Sequence, residues 1–91
     1  MFVVIAYDIP DDRRRYRVTR VLQDYGQRVQ YSVFECDVTP RDYAALRRQL
    51  ERALDPREDN VRYYALCRAC TARIEVANSP DVASSPAYYI V

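Results

Sequence analysis

The chain has 91 residues, 49% hydrophobic and 30% charged, a balance that fits one small globular domain and excludes a disordered chain. A net charge of +1 gives no overall attraction to nucleic acid, although Arg13, Arg14, Arg15, Arg17 and Arg20 crowd one segment and lysine is absent. Histidine is also absent, which removes a histidine general base, the usual catalytic triad and a histidine-ligated zinc; a hydrolase built on this chain would draw its nucleophile from a metal-bound water.

The longest apolar run is far too short to span a bilayer. Met1 leads directly into strand-like sequence without a basic leader region or a cleavage site, so a cytoplasmic protein with no membrane association is expected.

Phe2 to Asp8 is rich in Val and Ile and apolar at both alternating sets of positions, the pattern of a central strand covered on each side. Asp8 ends that run, just before Ile9, Pro10 and a burst of Asp and Arg. A carboxylate there, beside an arginine-loaded helix start, suits a metal ion and a phosphate; the alternative is that Asp8 only helps to cap the helix. Asp11 or Asp12 caps a helix running to Tyr25, with Val18, Val21, Leu22 and Tyr25 as its buried stripe. Gly26, the one glycine in the chain, follows the stripe where a left-handed helix cap is expected.

Arg28 to Val38 has strand composition but exceeds one ordinary strand, which predicts two strands with a bend near Tyr31 and Ser32. Thr39, Pro40 and Asp42 then open a second helix, with a Thr cap, Pro at the first position and an acid in the first turn. Tyr43, Leu46, Leu50 and Leu54 form its buried stripe, and Asp55-Pro56 stops it. Val61, Tyr63, Ala65 and Cys67 alternate with polar neighbours in a fourth strand. Ala72, Ile74 and Val76 alternate in a fifth.

Residues 1–77 are thus read as one domain. Residues 78–91 form a flexible Ser/Pro tail whose terminal Tyr88-Tyr89-Ile90-Val91 would add a short edge strand to a partner. Cys67 and Cys70 form a single CxxC between two strand-like runs; without a second pair or a histidine it reads as a turn with reduced thiols, and Cys36 makes the cysteine count odd.

The predicted order is β-α-β-β-α-β plus an extra C-terminal strand, an α+β fold of the ferredoxin-like kind. Its two helices cover one sheet face only, whereas the first strand is apolar on both. A second copy of the chain covering the other face, in a face-to-face homodimer, resolves the mismatch. Phe2, Val4, Ala6 and Asp8 share a strand face, so that pairing brings two Asp8 carboxylates together. Like charges held close favour a shared proton or a bridging cation, for which Mg²⁺ or Mn²⁺ is suited.

Arginines at the start of the first helix oppose the helix dipole unless an anion such as phosphate rests there; the alternative is a solvated face. Arg28 opens the second strand. Tyr7, Tyr16 and Phe34 either stack on bases or line the core.

The string VIAYDIPDDRRRYRV, followed by GQRVQYSVFECDVT, resembles the CRISPR-associated protein 2 family, and the resemblance spans roughly residues 1–77. It implies a ferredoxin-like homodimer taking part in CRISPR spacer acquisition with the CRISPR-associated protein 1 integrase. It also implies a metal-dependent endonuclease activity on single-stranded RNA or duplex DNA. The family's metal-binding aspartate falls on Asp8, the tyrosine before it on Tyr7, and its helix arginines on Arg15 and Arg17. Its strand arginine falls on Arg28, its serine on Ser32 and its phenylalanine on Phe34. Where many relatives carry glycine after the SVFE segment, this chain has Cys36. Two functions are therefore expected: an endonuclease using Mg²⁺, and a non-catalytic dimeric scaffold that grips duplex DNA by its backbone and bridges the integrase.

Overall fold

The computed structural model describes residues 1–78. In chain order they form β1 (Phe2–Asp8), α1 (Asp12–Gln23), β2 (Gln27–Gln30), β3 (Val33–Asp37), α2 (Pro40–Ala53), β4 (Asn60–Leu66) and a short α3 (Arg68–Thr71). The strands make one antiparallel sheet in the order β2-β3-β1-β4, with β1 inside it as its two-sided apolar sequence requires. The fold is α+β and ferredoxin-like.

Side chains directly opposite one another across a ladder share a face, so the register assigns both faces. Val3, Ile5 and Tyr7 are buried with Phe34 and Cys36 of β3 in the core beneath the helices. Val4, Ala6 and Asp8 turn to the other face together with Val33, Glu35, Arg62 and Tyr64.

Both long helices begin as their sequences predict. Asp11 caps α1, its carboxylate accepting from the Arg14 N–H at 2.9 Å. Thr39 caps α2, its hydroxyl accepting from the Asp42 N–H at 3.1 Å, with Pro40 in the first turn. Val18 and Leu22 of α1 and Leu46 and Leu50 of α2 are fully buried. Each such side chain contributes about 1.5–3 kcal/mol of apolar burial. The bend falls at Tyr31 and Ser32, between β2 and β3.

Three expectations change. Gly26 has no positive φ and is not a left-handed cap. It is needed for space, because a Cβ there would fall 2.5 Å from Cys36 Sγ and closer still to the Glu35 carbonyl oxygen. The second change concerns the cysteines. Cys67 opens a helix after all: its Sγ accepts from the Cys70 N–H at 3.4 Å and caps α3.

The third change follows from the second. With Arg68–Thr71 helical and Thr71 buried, Ala72 to Val76 does not form the fifth strand. Instead Ile74, Glu75 and Val76 share with Val33 and Glu35 a shallow depression of about 190 Å³ on the face the long helices leave open. Phe2, buried on that same face, lies under cover that the chain itself provides, while Val4 and Ala6 stay half-exposed and Tyr64 exposed. The expected terminal edge strand and all but the first residue of the tail lie outside the described residues. Among the described residues no helix is long and apolar enough to cross a membrane.

Candidate functional site

The end of β1 divides the expected site between two faces. Strand geometry sends the adjacent Tyr7 and Asp8 to opposite sides of the sheet. Asp8, opposite Asn60 on β4, is exposed on the open face, and its carboxylate makes no hydrogen bond or ion pair with another described residue. Tyr7 points beneath the helices, where its hydroxyl and the buried Thr19 Oγ1 of α1 lie 2.9 Å apart in a hydrogen bond.

Above that hydroxyl pair is a cleft of about 410 Å³. Tyr7 and Thr19 line it from below, Arg15 and Tyr16 from α1, and Arg28 and Tyr31 from β2 and the bend. Arg28 lies opposite Phe34 in the ladder, and its guanidinium carbon sits 5.9 Å from the Phe34 ring centre and 5.8 Å from that of Tyr31. These are cation–π distances. Among the described residues Arg28 has no carboxylate partner, so its in-plane N–H groups remain available to an anion.

Arg15 is more constrained. Its guanidinium donates to the Ile9 carbonyl at 2.9 Å and to the Asp12 carboxylate, and that carboxylate raises its pKa further. It therefore fastens the loop after Asp8 to the first turn of α1. Arg14 is taken up by acids of the chain itself. Its Nε and one terminal nitrogen donate to the two Asp59 oxygens at 2.8 and 3.1 Å, and the same terminal nitrogen reaches Glu58 at 2.8 Å. The Asp59 side chain is fully covered, and the hydrogen bonds from Arg14 lower its pKa below the usual carboxylate range. Arg13 and Arg17 stand exposed on the outer flank of α1, without an ion pair among the described residues.

Phe34 has no exposed surface, so it supports Arg28 from beneath and offers no face to a base. Tyr7, also buried, stacks beside it with ring centres 6.4 Å apart. Ser32 enters through its backbone, its carbonyl accepting from the Tyr7 N–H at 3.0 Å. Tyr16, read as core or stacking, is exposed and carries Arg20 over its ring at 5.8 Å.

The cleft thus unites Tyr7, Arg15 and Arg28, and sets Asp8 on the far face and Arg17 outside. Sequence reading missed Thr19 and Tyr31 as cleft residues. Thr19 stood beside a buried-stripe position, and Tyr31 was read only as a bend.

One protomer offers little to a metal. Among the described residues no three His, Cys, Asp or Glu side chains gather into a ligand set. Asp8 is nonetheless a free oxygen donor, and Mg²⁺ is commonly held through one or two carboxylates with water filling its remaining positions. Two Asp8 side chains brought together by symmetry fit that requirement; one alone barely does.

Fold and site together define a ferredoxin-like α+β protein with a strand-end carboxylate on one face and an arginine–tyrosine cleft on the other. Residues 1–74 match the family described as CRISPR associated protein Cas2, and the chain belongs to that family. It is 41% identical over 88 residues to the CRISPR-associated endoribonuclease Cas2 3 of Synechocystis sp., covering 97% of this chain and 96% of that one. Streptococcus pyogenes Cas2 in its pH 6.5 crystal form superposes with a TM-score of 0.76 at 35% identity, over 86% of this chain and 100% of the other. A chain of a partial Cas6-RT-Cas1–Cas2 complex superposes with a TM-score of 0.72 at 29% identity, over 82% and 88% of the two chains.

Proposed function

We propose that this protein is a cytoplasmic CRISPR adaptation protein that works as a homodimer and hydrolyses phosphodiester bonds with Mg²⁺ or Mn²⁺. The observation that carries this reading is the position of Asp8, an exposed carboxylate at the rim of a half-apolar sheet face. A two-fold pairing through Val4, Ala6 and Tyr64 would cover that face and bring the two Asp8 side chains together.

When bound, a divalent cation would supply Lewis acidity at the scissile phosphate. The chain's own residues bind and orient. Asp8 from each copy would hold the cation. Arg15 fixes the loop that follows Asp8 to the first turn of α1 and places positive charge in the cleft on the opposite face. Arg28, held between Tyr31 and Phe34, and the exposed Arg17 would take backbone phosphates. Tyr7, Ser32 and Phe34 act from within, by setting the end of β1 and the seat of Arg28. The endoribonuclease name of the Synechocystis relative supports RNA as a substrate.

The test is cleavage of single-stranded RNA and duplex DNA, with and without Mg²⁺, by wild type and Asp8→Ala. Wild type cleaves only with the metal and Asp8→Ala does not cleave; equal cleavage by both removes the mechanism.

A second reading has its own support: one carboxylate per protomer is a thin ligand set, and a solved chain of similar fold belongs to a Cas1–Cas2 assembly. In it the dimer is a non-catalytic scaffold that grips duplex DNA through its arginines and bridges the CRISPR-associated protein 1 integrase. Spacer acquisition would then survive Asp8→Ala and fail on loss of Arg17 and Arg28.

A further inference from the structure

Cys67 and Cys70 are exposed thiols, whereas the third cysteine of the chain, Cys36, is fully buried in the core. The single helical turn of α3 sets the two three positions apart on one side. Cys67 Sγ accepts from the Cys70 N–H at 3.4 Å, and the two thiols hydrogen-bond to each other. The sulfurs therefore already face one another, and a disulfide asks only for their closer approach across the same short stretch of backbone. Among the described residues no third His, Cys, Asp or Glu side chain gathers with them, so the chemistry open to the pair is that of a dithiol.

The pair also stands at a joint in the fold. Thr71, the next residue, is fully buried. The Arg73 N–H donates to the Cys70 carbonyl at 3.0 Å, and the Ile74 N–H donates to the Thr71 carbonyl at 3.2 Å. Ile74 and Val76 then line, with Val33, the depression on the sheet face that the long helices leave open. The backbone between the two cysteines thus anchors the segment that covers part of that face.

We propose that Cys67 and Cys70 form a reversible disulfide by exchange with a disulfide oxidant, and that this bond fastens the covering segment. The Cys67 thiolate attacks one sulfur of the oxidant, forming a mixed disulfide and expelling a thiolate. The Cys70 thiolate then attacks Cys67 Sγ, which closes the intramolecular bond and expels the second thiolate. The two protons given up by the cysteines end on the two thiols made from the oxidant, and two electrons pass to it. Cys67 goes first because the hydrogen bonds its sulfur accepts stabilise its thiolate. A dithiol reductant reverses both steps, as suits the transient, redox-responsive disulfides of a reducing compartment.

The experiment treats the reduced full chain with oxidised glutathione under exclusion of oxygen and then blocks free thiols with N-ethylmaleimide. Trypsin cuts after Arg62, Arg68 and Arg73, so the proposed bond joins peptide 63–68 to peptide 69–73. Mass spectrometry is expected to find that linked pair in the monomeric polypeptide, and dithiothreitol to remove it. Cys70→Ser should stop at glutathione carried on Cys67, since the resolving thiol is gone. Urea, which takes the turn apart, should lower the yield of the linked pair. Amide hydrogen exchange of Arg73 and Ile74, read by NMR, should slow on the order of tenfold on oxidation, the scale of closing so short a loop.

Glutathione held on single cysteines of wild type with no linked pair overturns the disulfide, as does a link found only between two chains. An equal yield from the urea-unfolded chain assigns the bond to sequence spacing and overturns the folded site. Equal exchange of Arg73 and Ile74 in the two states overturns the hold on the covering segment.

Discussion

Tyr7 and Asp8 are neighbours in the chain, yet they leave β1 on opposite faces of the sheet, one in a buried hydrogen bond to Thr19 and the other in solvent. Their substitutions should therefore separate stability from activity. Tyr7→Phe leaves the covered Thr19 hydroxyl unpaired and is expected to cost about 1–3 kcal/mol. Asp8→Asn removes no hydrogen bond or ion pair to another described residue and should stay within about 0.5 kcal/mol of wild type. Urea titration of the two variants measures both values.

Arg14 ties the start of α1 to the loop before β4 through Asp59, 45 positions away. Because Arg14 lowers the Asp59 pKa in the folded state, the unfolded chain binds the proton more readily. The contribution of the pair is therefore full above the unfolded carboxylate value of about 3.9 and is lost as pH falls through the lower folded value. Arg14→Leu should melt at a lower temperature than wild type at neutral pH, and the gap should narrow as the solution is acidified. Melting curves across that range test it, and a constant gap would assign the loss to packing alone.

Gly26→Ala should destabilise by about 1–3 kcal/mol, as overpacking does elsewhere, because the added methyl meets the Glu35 carbonyl and Cys36 within contact distance. Gly26→Asn supplies a control. A left-handed cap tolerates Asn well, whereas a position closed by β3 rejects it more strongly than Ala. Denaturant midpoints of the two variants decide between these causes.

The signals that could be read from sequence were local. Thr39-Pro40 and the leucine spacing gave α2, the two-sided apolar run gave the central position of β1, and the length of residues 28–38 gave the bend. Helix α3 stayed hidden because four residues show no period, while Ala72, Ile74 and Val76 mimic an alternating strand. The role of Gly26 depends on how closely β3 approaches, which no local pattern records. The site divides the same way. Asp8 stood out from its place at a strand end, but the cleft draws Tyr7, Thr19, Arg28 and Tyr31 from four segments, and only the fold brings them together.

The three thiols should differ in reactivity. Cys67 is exposed, and the Cys70 N–H that its sulfur accepts lowers its pKa; Cys70 is raised by its hydrogen bond with Cys67. Burial pushes the Cys36 thiol up to about 11. Since the thiolate is the reactive form, an alkylating reagent at neutral pH should modify Cys67 first, then Cys70, and Cys36 only on unfolding. Peptide mass spectrometry over a time course reads that order.

The pairing of two Asp8 carboxylates around one cation is tested most directly by counting bound Mn²⁺ with electron paramagnetic resonance, in wild type and Asp8→Asn. The predicted result is one bound ion for every two chains, lost in the variant. One ion per chain, no bound ion, or the same binding after Asp8→Asn would contradict it.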